Sequence, residues 1–165
     1  MTNIRFANVD DLTTVEQLAR EIWPVAYAGI VSPEALNYML DLFYNNAALR
    51  DQLQQQKHTF LMAELDGKPV GFASFSTLEP GISKLQKLYV HQNTQGKGLG
   101  KVLIDFIISH LQSQSMHTLR LNVNRQNKAR FFYEKLGFVI LKEEDVDIGN
   151  GFFMVDYVME KKLVS

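Results

Sequence analysis

Ile4 and Phe6 alternate with Arg5 and Ala7, the period of two that marks a short strand, and the pattern stops at Asp10-Asp11. Beyond those acids, which suit a helix start, the period lengthens. Leu12, Val15, Leu18, Ala19, Ile22 and Trp23 recur at helical spacing, and Pro24 predicts a break or kink close by. Ser32-Pro33 reads as the N-cap and first residue of a second helix with the apolar stripe Leu36, Met39, Leu40 and Phe43, and Asn45 or Asn46 opens a further short one. Two strand-like runs follow, Phe60 to Leu65 and Val70 to Phe75. They are joined through Asp66-Gly67, a dipeptide suited to the left-handed torsions of a tight antiparallel hairpin.

Pro80-Gly81 punctuates the chain before a third run, Leu85 to Val90. The glycine-rich segment Gln95 to Gly100 then leads into a long helix, with Leu99, Val102, Leu103, Phe106, Ile107, His110 and Leu111 on its inner side and Lys101, Asp105 and Gln112 facing out. Leu119, Leu121 and Val123 alternate as a strand, and the intervening helix makes this strand parallel to the previous one through a right-handed crossover. Asn127 to Leu136 is a short helix closed by Gly137, before strands at Phe138 to Leu141 and about Phe152 to Glu160; the acidic stretch Glu143, Glu144, Asp145, Asp147 reads as the connection between them. The expected fold class is α/β, a mixed sheet with helices on both faces, in one domain over residues 1–165.

The chain has 46% hydrophobic and 21% charged residues, enough for a core that removes roughly 70% of the unfolded surface from water. Zero cysteines exclude disulfides, Cys-ligated zinc and a thiol nucleophile. With 17 basic against 18 acidic residues there is no electrostatic footprint for nucleic acid or an anionic membrane. Arg5, Asp10 and Asp11 stand where a signal peptide needs apolar residues, and no run reaches the length of a membrane span, so a cytoplasmic protein is expected.

The strongest chemical signal is Gln95-Gly96-Lys97-Gly98-Leu99-Gly100-Lys101, placed between a strand and the start of the long helix. Glycines there let backbone N–H groups approach an anion while the helix dipole favours its charge, so a phosphate or pyrophosphate is the expected guest. A P-loop is disfavoured because Gly96 and Gly100 enclose three residues and Val102 takes the magnesium-ligand position. A dinucleotide fingerprint is disfavoured too, since one residue separates Gly98 from Gly100 and Gln114 to Asn124 contains no acid.

Gln95-x-x-Gly98-x-Gly100 after Leu88-Tyr89-Val90 resembles the acetyl-CoA pyrophosphate loop of the GCN5-related N-acetyltransferase (GNAT) family. About 30 residues downstream, Asn127-x-Ala129-x-x-x-Tyr133-x-x-x-Gly137-Phe138 resembles that family's next helix and strand. Trp23-Pro24-x-Ala26-Tyr27-x-Gly29-Ile30 and Asp156-Tyr157-Val158-Met159 also look like bacterial spermidine/spermine-type N-acetyltransferases. The resemblance implies a mostly antiparallel sheet with one parallel pair splayed at the cofactor site. It further implies acetyl-CoA as cosubstrate, no metal, and direct transfer in a ternary complex to a primary amine: a small molecule, a polyamine or a peptide amine. A homodimer is left open.

For individual residues the resemblance implies Gln95, Gly96, Lys97, Gly98, Leu99, Gly100 and Lys101 as the pyrophosphate cradle. Leu88, Tyr89 and Val90 would lie along the pantetheine through their main chain, with the Val90 N–H toward the carbonyl oxygen. Asn127 would contact the cofactor and Tyr133 would protonate the departing thiolate. Plainer readings stand beside these: Tyr133 shares a helical side with Ala129, Phe132 and Leu136 and suits a core aromatic, while Asn127 stands where an N-cap belongs. Leu88 suits sheet core as well.

A base is the missing part. The family comparison leads one to look for a glutamate on the strand before the loop, where this chain has Lys84, Gln86 and Lys87. Glu79 lies early; Glu34, Asp41, the Glu143 to Asp147 segment and a water relay remain as sources. The four histidines show no metal-ligand spacing, and His91 alone falls near the loop. Trp23, Tyr27 and Tyr38 are candidates for an acceptor pocket. The alternative to an enzyme is a non-catalytic CoA-binding sensor or interaction module, supported only by the missing glutamate.

Overall fold

The computed structural model describes residues 1–94 and 96–163. Strand β1 (Thr2–Phe6) leads into helices α1 (Leu12–Ala26), α2 (Pro33–Tyr44) and α3 (Asn46–Gln54). Strands β2 (Thr59–Leu65), β3 (Lys68–Glu79) and β4 (Ile82–Val90) follow, then α4 (Leu99–Ser113), β5 (Thr118–Asn124), α5 (Ala129–Lys135), β6 (Val139–Gly149) and β7 (Phe152–Lys162). The seven strands make one sheet in the order β1-β2-β3-β4-β5-β7-β6, antiparallel except for the β4–β5 pair.

Local chemistry accounts for most boundaries. The Ser32 hydroxyl accepts from the Ala35 amide at 3.1 Å and Asn45 Oδ1 from Ala48 at 2.8 Å, so α2 and α3 start at side-chain caps. Asp66 and Gly67 take φ of +53° and +80°, the paired left-handed torsions that turn β2 back on β3. Pro24 does not end α1. It stands in the last turn, where only one backbone hydrogen bond is lost, and Tyr27 N still reaches Trp23 O at 2.9 Å.

The two faces of the sheet carry separate cores. On one, α1, α2 and α3 bury Leu12, Val15, Trp23, Leu40, Tyr44 and Leu49 against Phe60, Met62 and Phe72. On the other, Leu103, Ile104, Ile107 and Leu111 of α4, with Tyr133 and Phe138, cover Leu61, Ala73, Leu85, Leu119 and Leu121. The stripe on α4 is rotated from the expected one. Ile104 is buried, Val102 is 41% exposed, and Phe106 and His110 are half-buried at the edge, in ring contact with Phe6.

The acidic stretch is the clearest correction: Glu143 to Asp147 is not a connection but the middle of β6, paired along Lys142–Asp147 with Phe153–Val158 of β7. β6 is an edge strand, so Glu143, Asp145 and Asp147 point to solvent at little cost while Glu144, Val146 and Ile148 turn partly inward.

Candidate active site

The β4–β5 ladder is short. It pairs Ile82–Leu85 with Thr118–Leu121 and then stops, although β4 continues to Val90 and β5 to Asn124. Beyond that point the strands diverge around a narrow cavity of about 60 Å³ bordered by Gln86, Leu88, Asn122, Val123, Asn127 and Tyr133. Two larger spaces meet it, one on each face of the sheet.

On the α4 face lies a cavity of about 500 Å³ lined by Leu88, Val90, Gly96, Gly98, Leu99, Gly100, Lys101 and Tyr133 among others. Gly96 and Gly98 have φ of +86° and +72°, and a Cβ on either would meet nothing within 4 Å, so this stretch presents open backbone toward the space. Gly98 is the N-cap of α4, whose first-turn N–H groups have no helical acceptors. Gly100 is different: a Cβ there would stand 3.2 Å from the Phe132 ring, so its smallness serves the packing of α4 on α5. Lys97 is exposed and lines none of these cavities, Lys101 pairs with Asp105 at 2.7 Å, and Gln95 lies outside the described residues.

Tyr133 is buried between Phe132 and Phe138, borders both this cavity and the narrow one, and its hydroxyl has no hydrogen bond among the described residues. Burial holds that hydroxyl protonated well above the usual tyrosine range. Asn127 also faces the narrow cavity, and its Oδ1 accepts from Ala129 N at 2.9 Å, so it caps the start of α5 as well. The Tyr89 side chain turns to the opposite face, where its hydroxyl meets the Tyr27 hydroxyl at 2.9 Å and its ring packs on Trp23.

That opposite face holds the third space, about 320 Å³, walled by Trp23, Tyr27, Tyr44, Tyr89 and Phe153 and by the polar groups of Lys84, Lys87, Asn122, Glu144 and Asp156. Tyr27, Gln86, Lys87, Tyr89 and Asn122 border both this cavity and the narrow one, so the two spaces adjoin across the sheet. Tyr38 is not part of the wall; its hydroxyl donates to Ile148 O at 2.6 Å instead.

Asp156 is the residue that sequence reading left without a role. It is 2% exposed on β7, accepts a hydrogen bond from Asn122 Nδ2 at 3.2 Å, and pairs across the β6–β7 ladder with Glu144. Burial raises its pKa, the Asn122 hydrogen bond opposes this, and the Glu144 charge adds to the rise. Among the other acids, Glu34, Asp41 and Glu79 are exposed and line none of the three cavities. The available signal was a lone carboxylate in the apolar run Phe152 to Met159. No group of three or more His, Asp or Glu is arranged to hold a metal, and no helix is long and apolar enough to cross a membrane, among the described residues.

Residues 28–161 match the family model described as an acetyltransferase (GNAT) domain. The chain is 32% identical over 167 aligned positions to a spermidine N(1)-acetyltransferase of Thermoplasma acidophilum, covering 98% of both proteins. It superposes with a TM-score of 0.83 on the crystal structure of PaiA N-acetyltransferase from that organism in complex with coenzyme A, at 30% identity over 98% of this chain and 99% of that one. A GCN5-related N-acetyltransferase from Rhodopseudomonas palustris shares the fold at a TM-score of 0.84 and 24% identity, over 99% of this chain and 96% of that one. With the divided sheet, the left-handed glycine loop at α4 and a family match over most of its length, this chain belongs to the GNAT family of acetyl-CoA-dependent N-acetyltransferases.

Proposed function

We propose that the chain, as one catalytic domain over residues 1–165, moves the acetyl group of acetyl-CoA directly to a primary amine held beside Asp156. The observation that carries this reading is the continuity of spaces across the sheet: a cradle at Gly96 to Gly100, a gap between β4 and β5, and a charged, aromatic cavity on the far side. The residues fit the cofactor. Open left-handed glycines and the free N–H groups of the first turn of α4 suit a pyrophosphate, and backbone groups of β4 and β5 that no longer pair suit the amides of pantetheine.

Acetyl-CoA supplies an activated acetyl group as a thioester. The protein must supply a neutral amine, and at pH 7 only about one amine in 2,500 with pKa 10.4 is neutral, a handicap of about 4.6 kcal/mol. Asp156 accepts the ammonium proton, aided by its burial and raised basicity. Backbone N–H groups in the gap stabilise the charge that develops on the carbonyl oxygen. Tyr133, on the cofactor side, donates its hydroxyl hydrogen toward the sulfur. The cavity of about 320 Å³ suits a small amine, and the balanced charge supports a cytoplasmic enzyme with neither nucleic acid nor membrane as partner.

Acceptor-dependent release of free thiol from acetyl-CoA, measured over a panel of amines, tests the proposal. CoA should also raise the melting temperature, by about 2.7 kcal/mol of stability at 100 times its Kd. No shift at millimolar CoA refutes the cofactor site; a shift without thiol release from any amine favours the non-catalytic CoA sensor.

Tyr133→Phe keeps the ring packing and should lower kcat toward the low end of the roughly 10²- to 10⁴-fold range of acid catalysis, because a thiol of pKa about 8.5 is already a fair leaving group. Since burial keeps the hydroxyl protonated, the loss should be the same from pH 6 to pH 9. Normal turnover with a lower melting temperature would make the hydroxyl purely structural.

A further inference from the structure

Among the charges of the acceptor cavity that the transfer chemistry leaves unused, Lys87 is the most deeply buried. Lys87 is 9% exposed on β4, with its ammonium 4.7 Å from the centre of the Tyr44 ring. Among the described residues it has neither a hydrogen-bond acceptor nor a carboxylate within ion-pair distance. Its neighbours do not balance it. Lys84 lines the same cavity, and His58 is held neutral by burial, with a pKa of about 4. Burial likewise pulls the Lys87 ammonium down to about 8. Directly across the β3–β4 ladder, the hydroxyl of Ser74 is buried and has no hydrogen-bond partner among the described residues, and cross-strand neighbours share a face.

The placement is set by a register shift. Ser74 pairs with Lys87 and Phe75 with Leu85, so Gln86 is an extra residue in β4, and both Lys84 and Lys87 line the acceptor cavity. The acids of that cavity, Glu144 and Asp156, stand on β6 and β7, on the other side of β5. Positive and negative groups therefore occupy opposite sides of one space, with β5 and the gap beside it between them. A largely desolvated ammonium at a cavity wall, with only an aromatic face beside it, is stabilised when an anion joins it, and a ligand can deliver that anion.

We propose that the acceptor is an amino-carboxylate, whose primary amine is held at Asp156 and whose carboxylate sits on the Lys87 ammonium. This rests on the transferase reading above and narrows its acceptor. A polyamine offers Lys87 no anion, and a cation that reaches past Glu144 to the β4 side meets Lys84 and Lys87, which like charges disfavour.

Matched pairs that differ only by a carboxylate test it: ornithine against putrescine, lysine against cadaverine, phenylalanine against phenethylamine, with spermidine alongside. The carboxylate-bearing member of a pair should show kcat/KM about tenfold or more above its partner, mainly through KM, the scale of one charge-assisted contact. Lys87→Met should raise KM for the amino-carboxylate until the ratio within a pair approaches one, Lys87→Arg should keep most of the preference, and a retained CoA-induced melting shift reports that each variant is folded. Higher kcat/KM for the decarboxylated amines or for spermidine overturns this proposal while the transferase reading stands. Equal loss on every acceptor in Lys87→Met overturns it as well, by making the lysine structural. No acceptor-dependent thiol release with any member of the panel overturns both.

Discussion

Asp156→Asn is expected to lower kcat about 10²-fold or more at neutral pH while leaving CoA affinity and folding intact, because it removes a general base without changing shape. Its pH behaviour separates this from a structural role. In the wild type, activity should rise with pH through the Asp156 pKa, which burial and Glu144 lift above the ordinary carboxylate value, and rise again as the amine itself loses its proton. The variant should keep only the second rise. Stability moves the other way. A carboxyl whose pKa is raised by folding holds its proton to higher pH in the folded than in the unfolded chain, so stability falls as pH climbs from the ordinary value through the raised one. Above that window the burden is fully present, and the neutral amide lifts it, so at pH 7 the variant should melt no lower than the wild type. Stopped assays of thiol release with calorimetric melting check both. Turnover within about threefold of wild type would remove Asp156 from the chemistry.

Gly98→Asp is the second large effect. A Cβ at Gly98 meets nothing within 4 Å, so the substitution costs only the left-handed φ of +72°, about 1 kcal/mol, and aspartate tolerates that torsion better than most residues. The new carboxylate would stand in the proposed pyrophosphate cradle. Like unit charges about 5 Å apart at an effective dielectric of about 20 repel by about 3 kcal/mol, on the order of a hundredfold in Kd for CoA. Gly100→Asp is a poorer probe, since its side chain runs into Phe132 at 3.2 Å and would disturb packing as well as binding. Titration calorimetry that returned an unchanged Kd for folded Gly98→Asp would place the pyrophosphate elsewhere.

What the sequence shows and what it hides divide along physical lines. Signals within a few residues of one another are legible: the Ser32 and Asn45 caps, the Asp66-Gly67 hairpin, and the glycines before α4 all stand where their torsional and hydrogen-bonding preferences put them. The acidic strand was hidden because charge on an edge strand mimics a solvated loop, although Val146 and Ile148 keep the strand period beneath it. The α4 stripe was misplaced by Val102, an apolar residue that the fold leaves in water. The acceptor cavity was the least legible part. Asn122, Glu144 and Asp156 meet across β5, β6 and β7, and the insertion of β7 between the other two is a pairing that no local pattern announces. In the sequence Lys87 registers only as one of the residues standing where a glutamate is looked for, because a single-residue register shift decides which face it takes.

The short β4–β5 ladder also divides the cooperativity of the molecule. Every strand before α4 lies on one side of it and every strand after α4 on the other, so four residue pairs are all that stitches β1–β4 to β5–β7 within the sheet. That seam is the line along which sub-global opening is cheapest. A ligand seated in the gap would touch both halves and act as a suture, adding to the short ladder and to the core that α4 shares with Leu85, Leu119 and Leu121.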